Sequence, residues 1–106
     1  MIIVGDGDAF AAGRVILDEA ELLTIAVAPA KRRKGLAEHA LGQLETAMHA
    51  RGAARCFLEV AADNTGAIAL YSKSGYTESG RRRDYYGAKN VSKTDALIMV
   101  KPLKAP

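Results

Sequence analysis

The chain has 106 residues, 49% of them hydrophobic and 25% charged, which leaves room for one domain with a modest core and excludes multidomain machinery and a disordered chain. Fifteen Lys and Arg against twelve Asp and Glu leave a net charge of +3, an excess that suits an acidic or phosphorylated partner and is too small to diagnose nucleic acid. The single cysteine, Cys56, excludes an internal disulfide framework and a Cys-rich zinc site and agrees with a reducing compartment.

No apolar run reaches the ~18 residues of a membrane span, and Met1-Ile2-Ile3-Val4-Gly5 lacks the basic lead-in of a signal peptide, so a cytoplasmic location is expected. Three β-type runs come first. Met1 to Val4, Ala9 to Leu17 and Glu21 to Val27 are separated by Gly5-Asp6-Gly7-Asp8 and by Asp18-Glu19-Ala20, which reads as an antiparallel meander. Gly5-Asp6-Gly7 has no third glycine and precedes a strand, so it is a hairpin turn. Pro29 closes the third strand. From Gly35 the period changes, with Ala37, Ala40, Leu41, Leu44, Ala47 and Met48 on one face of a helix that Gly52 stops.

Arg55 to Val60 is a short apolar run, expected as a buried strand parallel to Glu21–Val27 through a right-handed crossover. Asp63 or Asn64 then offers an N-cap for a helix from about Thr65 to Ser74, apolar at Ala67, Ile68, Leu70 and Tyr71, with Gly75 as its C′ residue. Tyr76 to about Tyr85 and Ala96 to Val100 read as closing strands joined by a polar Gly87–Asp95 loop. The order βββαβαββ predicts an α/β domain with a mixed sheet over residues 1–106.

The densest chemical signal is Lys31-Arg32-Arg33-Lys34-Gly35-Leu36-Ala37, between a strand and the start of a helix. Free N–H groups at a helix N-terminus bind anions, and glycine lets the backbone approach a phosphate closely, so a pyrophosphate fits there. A solvated basic turn or a non-specific nucleic-acid patch is the plainer alternative. Glu59 is the second signal, because a carboxylate inside a central strand carries a desolvation cost and burial would favour its use as a base; otherwise it lies near the strand end and reaches solvent or a nearby Arg. Asn64 and Tyr71 lie two turns apart on one helix and share a face, although Tyr71 alone would also suit a core aromatic. His39 and His49 are not spaced as a metal pair, and Cys56 alternates away from Glu59 as a buried thiol. Arg81-Arg82-Arg83-Asp84-Tyr85-Tyr86 suits stacking on single-stranded nucleic acid, or an edge strand whose basic face is solvated or grips an acceptor.

These residues together resemble the GNAT superfamily of N-acetyltransferases, and within it the RimI-like ribosomal-protein-alanine N-acetyltransferases. Arg32-Arg33-Lys34-Gly35-Leu36-Ala37 is similar to that family's acetyl-CoA pyrophosphate motif, [QR]-x-x-G-x-[GA]. Leu58-Glu59-Val60 to Asn64, Ala67-Ile68-Ala69-Leu70-Tyr71 and Gly75-Tyr76 resemble its LEV-x-x-x-N-x-x-A-I-x-L-Y-x-x-x-G-[FY] signature, and the resemblance runs from about Leu17 to Leu103. It implies the GNAT acyl-CoA N-acyltransferase fold, shortened at its N-terminus by a strand and two helices. It also implies an acetyl-CoA-dependent transfer to a protein N-terminus, in these relatives a ribosomal protein, without a metal, a membrane or direct nucleic-acid binding.

Backbone amides from Arg32 to Ala37 would then hold the pyrophosphate, the edge of Glu21–Val27 would pair with pantetheine, and a backbone N–H near Ile25, Ala26 or Val27 would serve the oxyanion. Asn64 would contact the cofactor arm, Glu59 would act as general base and Tyr71 as general acid. A small-molecule amine as acceptor, or a catalytically silent acyl-CoA-binding module, are the alternatives. The shortened N-terminus would bare the Met1–Val4 edge and some of Phe10, Val15 and Leu17, from which a homo-oligomer through the N-terminal strands is expected.

Overall fold

The computed structural model describes residues 1–32, 34–86 and 94–104, and for residues 84–86 it describes the backbone. Six strands and two helices form a mixed α/β fold in the expected order: β1 (Ile2–Gly5), β2 (Ala9–Ile16), β3 (Glu19–Val27), α1 (Leu36–Ala50), β4 (Arg55–Ala61), α2 (Thr65–Lys73), β5 (Thr77–Tyr86) and β6 (Thr94–Pro102), with a 3₁₀ turn at Pro29–Lys31. The chain divides into two compact units, Met1–Cys56 with Pro102–Pro106, and Phe57–Lys101. Among the described residues, no helix is long and apolar enough to cross a membrane.

In the first unit β1, β2 and β3 form the expected antiparallel meander, with β1 at its outer edge. The register sets Ile2 opposite Gly13 and Val4 opposite Ala11, and Ala11 opposite Ile25, so these residues share one face. Helix α1 lies against that meander and buries Ala40, Leu41, Leu44 and Met48, the apolar stripe read from its spacing. Close seating is possible because β2 offers small residues, Ala9, Ala11 and Gly13, on this face ahead of Val15. A Cβ added at Gly13 would stand 2.8 Å from the Glu21 carbonyl oxygen, 3.0 Å from Met48 Sδ and 3.2 Å from Leu44 Cδ2. Full burial of a side chain such as Leu44 contributes ~1.5–3 kcal/mol.

Two local features differ from the sequence expectation. The turn between β2 and β3 is not Asp18-Glu19-Ala20 but the two residues Leu17 and Asp18, since Ile16 pairs with Glu19 and Ala20 pairs with Val15. Leu17 takes a φ of 58°, the left-handed region that such tight hairpin turns demand. The second feature is a β-bulge: Leu22 faces Gly13 and Thr24 faces Ala12, which leaves Leu23 as an extra residue on β3.

In the second unit β6 lies between β4 and β5. Ala96 and Leu97, adjacent in sequence, are both buried, as a strand covered on both faces requires. Leu58, Val60, Tyr76 and Met99 complete this core. Of the two candidate caps for α2 the chain uses Asn64, whose Oδ1 accepts the Ala67 N–H at 3.2 Å. β6 starts at Thr94 and so takes in the end of the expected Gly87–Asp95 loop, while residues 87–93 lie outside the described residues.

The turn between β1 and β2 is closed by a side chain. Asp6 Oδ1 accepts the Asp8 N–H at 2.8 Å and the Ala9 N–H at 3.2 Å, and these bonds hold its carboxyl below the ordinary value of 3.8. A carboxyl depressed in the folded state contributes stability above its unfolded pKa and loses it as pH falls through the folded value. Asp6→Ala is therefore expected to lower stability at neutral pH, with the gap to the unsubstituted chain closing as pH drops below ~3.9. Urea denaturation across that range measures it.

Candidate functional site

The strongest feature of the first unit is the start of α1. Gly35 is its N-cap, with φ 76° and ψ 10°, and contributes no capping side chain. The first turn therefore opens with backbone N–H groups at Leu36 and Ala37 that no cap side chain takes up. The space where a Gly35 Cβ would project holds no protein atom within 4 Å. Arg32 and Lys34 beside it are exposed. Open donors, the positive end of the helix dipole, two cations and open space beside the Gly35 Cα, the cradle an anion would enter, are the chemistry of a phosphate site. Arg33, the remaining member of the expected motif, lies outside the described residues.

Ile25, Ala26 and Val27 end β3, opposite Ala11, Phe10 and Ala9, and come just after the Leu23 bulge, which bends the strand ahead of them. The bulge was missed in the sequence, yet it leaves a trace there. The inward apolar positions of β3 are even-numbered through Ala20 and Leu22 and odd-numbered from Ile25 and Val27, and that change of parity marks an inserted residue. A small pocket of about 140 Å³, lined by Gly5, Asp6, Ala9, Leu36, His39, Ala40 and Gln43, sits beside the first two turns of α1. It is well below the ~300 Å³ at which ligand pockets begin.

The second unit carries Glu59, Asn64 and Tyr71. The expectation that burial prepares Glu59 is corrected: its side chain is 28% exposed, and its Oε1 stands 3.0 Å from Arg82 Nη2. Glu59 is the solvent-facing position of β4 between buried Leu58 and Val60, and a cation from β5 meets it there. Asn64, expected to present its side chain along the Tyr71 face, spends Oδ1 on the helix cap and keeps its amide N–H₂ for other partners. The Tyr71 ring stands edge-on to Tyr76, with centroids 5.9 Å apart and planes at 65°. Tyr76 is buried, and Lys101 Nζ lies 5.9 Å from its ring centroid. Tyr71 is thus braced at its ring, as an aligned phenol must be.

Arg81 and Arg82, grouped in sequence as one basic patch, are bound to carboxylates. Arg81 meets Asp95 at 2.9 Å and Glu78 at 3.8 Å, a bond to Asp95 that raises its already high pKa further. The side chains of Asp84, Tyr85 and Tyr86, which the stacking alternative needed, lie outside the described residues. Cys56 is buried, and among the described residues no group of three or more His, Cys, Asp or Glu is arranged to hold a metal ion.

The model of the acetyltransferase (GNAT) family matches residues 9–76. The chain belongs to that family. This GNAT chain is 44% identical over 95 residues to the ribosomal protein bS18-alanine N-acetyltransferase of Escherichia coli strain K12, covering 90% of this chain and 64% of that protein. It is 38% identical over 91 residues to the enzyme of the same name from Haemophilus ducreyi, covering 86% of this chain and 63% of the relative. The crystal structure of the ribosomal-protein-S18-alanine N-acetyltransferase from Escherichia coli matches with a TM-score of 0.82 at 41% identity, covering 97% of this chain and 67% of that one. The GNAT chain spans a little less than two thirds of the length of these curated relatives.

Gly35→Val tests the loop directly. A side chain in the left-handed region is expected to cost ~1–2 kcal/mol of stability, leaving a folded protein. Its branched Cβ would fill the cradle, so titration calorimetry should register no acetyl-CoA binding. Unchanged affinity in the folded variant would remove Gly35 from the site.

Proposed function

We propose that this GNAT chain transfers an acetyl group from acetyl-CoA to an amine, and that its acceptor is the α-amino group of a protein N-terminus, that of a ribosomal protein. The observation that carries the reading is the 44% identity, over 90% of the chain, to an enzyme named for the alanine of ribosomal protein bS18. The family match runs over residues 9–76, from the first compact unit into the second, which supports reading the two as parts of one domain.

In this reading the backbone from Arg32 through Arg33, Lys34, Gly35 and Leu36 to Ala37 holds the pyrophosphate of acetyl-CoA. Ile25, Ala26 and Val27 offer backbone groups to pantetheine, and Asn64 donates from its amide to the cofactor arm. Acetyl-CoA supplies the acetyl group as an activated thioester. An α-ammonium has a pKa near ~8 and cannot attack until it loses a proton, and Glu59 takes that proton directly or through one water. A backbone N–H among Ile25 to Val27 faces the carbonyl oxygen as negative charge builds on it, and the Tyr71 phenol protonates the departing thiolate. None of these roles calls on a metal.

Acetylation of an alanine-initiated peptide tests the assignment. Glu59→Gln is expected to lower kcat by ~10²–10⁴-fold, and Tyr71→Phe to lower it with acetyl-CoA affinity unchanged. Full activity in both variants would return Glu59 and Tyr71 to structural roles.

A second copy of the chain is the proposed partner of β1. This strand ends the sheet, contains neither Lys nor Pro, and leaves Ile3 66% exposed, while Phe10 on β2 is 38% exposed. Two β1 edges paired antiparallel about a two-fold axis would satisfy both backbones and cover this apolar surface. Sedimentation equilibrium is expected to give a dimer mass, and a monomer at ~100 μM would exclude this interface, since edge pairing and apolar burial at ~25 cal/mol per Å² should drive association there.

A further inference from the structure

Arg82 stands on β5 opposite Ala96 of β6, and β6 separates β5 from β4. With strands ~4.8 Å apart, a side chain on β5 must cross a whole strand to reach β4. Arg82 makes that crossing and places Nη2 3.0 Å from Glu59 Oε1. Ala96, its cross-strand neighbour, presents only a methyl group and is buried. A larger residue there would stand in the path of the guanidinium. Arg81, one residue earlier, is engaged by Asp95 and Glu78.

Stability does not account for the arrangement. The Arg82 side chain is 52% exposed and that of Glu59 28% exposed, and ion pairs so open to water add little to folding while costing side-chain freedom. What the contact does supply is direction. A planar guanidinium gripping one carboxylate oxygen restricts the torsions of Glu59. The closest approach of the guanidinium is to Oε1.

We infer that Arg82 is a positioning residue for acetyl transfer: by holding Oε1 across β6 it fixes the orientation in which the Glu59 carboxylate receives the acceptor's proton. The inference rests on Glu59 being the base. In the step concerned, an N–H bond of the ammonium breaks, an O–H bond forms at the Glu59 carboxylate or at a bridging water that passes its own proton to that carboxylate, and the electron pair stays on nitrogen for the attack. Arg82 touches neither substrate.

Steady-state acetylation of an alanine-initiated peptide by the full chain tests this with Arg82→Gln, Arg82→Lys, Glu59→Gln and the Glu59→Gln/Arg82→Gln double variant. Arg82→Gln is expected to lower kcat by about ten- to a hundredfold, the scale of a misaligned catalytic group, with the KM for acetyl-CoA unchanged. Arg82→Lys, which keeps the charge without the planar fork, should regain part of that loss. The double variant should be no slower than Glu59→Gln. An Arg82→Gln protein with unchanged kcat beside a slow Glu59→Gln would overturn the positioning role and leave the base assignment standing. A double variant slower than Glu59→Gln would show Arg82 acting elsewhere and overturn it too. Full activity in Glu59→Gln would remove the base assignment, and the inference with it.

Discussion

The approach of α1 to β2 at Gly13 is the constraint on which the first unit depends. A Cβ there would stand 2.8 Å from a backbone oxygen that cannot yield and 3.0 Å from a Met48 sulfur already fully buried. Absence of that one carbon sets how closely the helix lies on the meander, and a 15-residue α-helix is a stiff rod. Seating its Leu44 and Met48 turns therefore also fixes where its first turn begins, about two turns before Leu44. The open helix start at Gly35 is thus held in place by packing some two turns away.

The second unit solves a different problem, the control of charge. β5 carries three consecutive arginines at the edge of its sheet, a composition that would ordinarily mean a solvated cationic strip. Instead Arg81 and Arg82 are matched to Asp95, Glu78 and Glu59 within 4 Å. Each pair is too exposed to matter much for stability. Their combined effect is to tie side chains of β4 and β6 to those of β5, so that the Glu59 carboxylate has a defined neighbour.

How much of this was legible in the sequence follows from how local each feature is. Helix α1 was visible in the spacing of Leu41, Leu44 and Met48, and the α2 cap in Asn64, because both depend on neighbours a few residues away. The start of α1 at Gly35 was legible for the same reason. For Glu59 a solvent-facing carboxylate beside an arginine was one of two readings left open, and which arginine was not legible, since the period of a strand tells which face a residue takes but not which long side chain crosses from two strands over. The tight turn at Leu17 was misplaced because Asp18-Glu19 has turn composition, whereas the register is set by burial of Ala20 opposite Val15. The Leu23 bulge was written in the parity of the apolar residues and needs the partner strand before it can be read as such.

Leu17 has a wider consequence. A branched, 90% exposed side chain in the left-handed region is a poor choice for a two-residue turn, and asparagine or glycine would hold it at less strain. The turn is fastened from elsewhere: the Ala54 N–H donates to the Asp18 carbonyl at 2.6 Å, and Arg55 Nη2 reaches Glu19 at 3.4 Å and Asp18 at 3.9 Å. Residues 36 positions apart in the chain thus close a hairpin that its own turn sequence does not favour. The meander is local in its strand order but long-range in what secures its tip, so the polypeptide must have passed through α1 and returned before its second hairpin is complete.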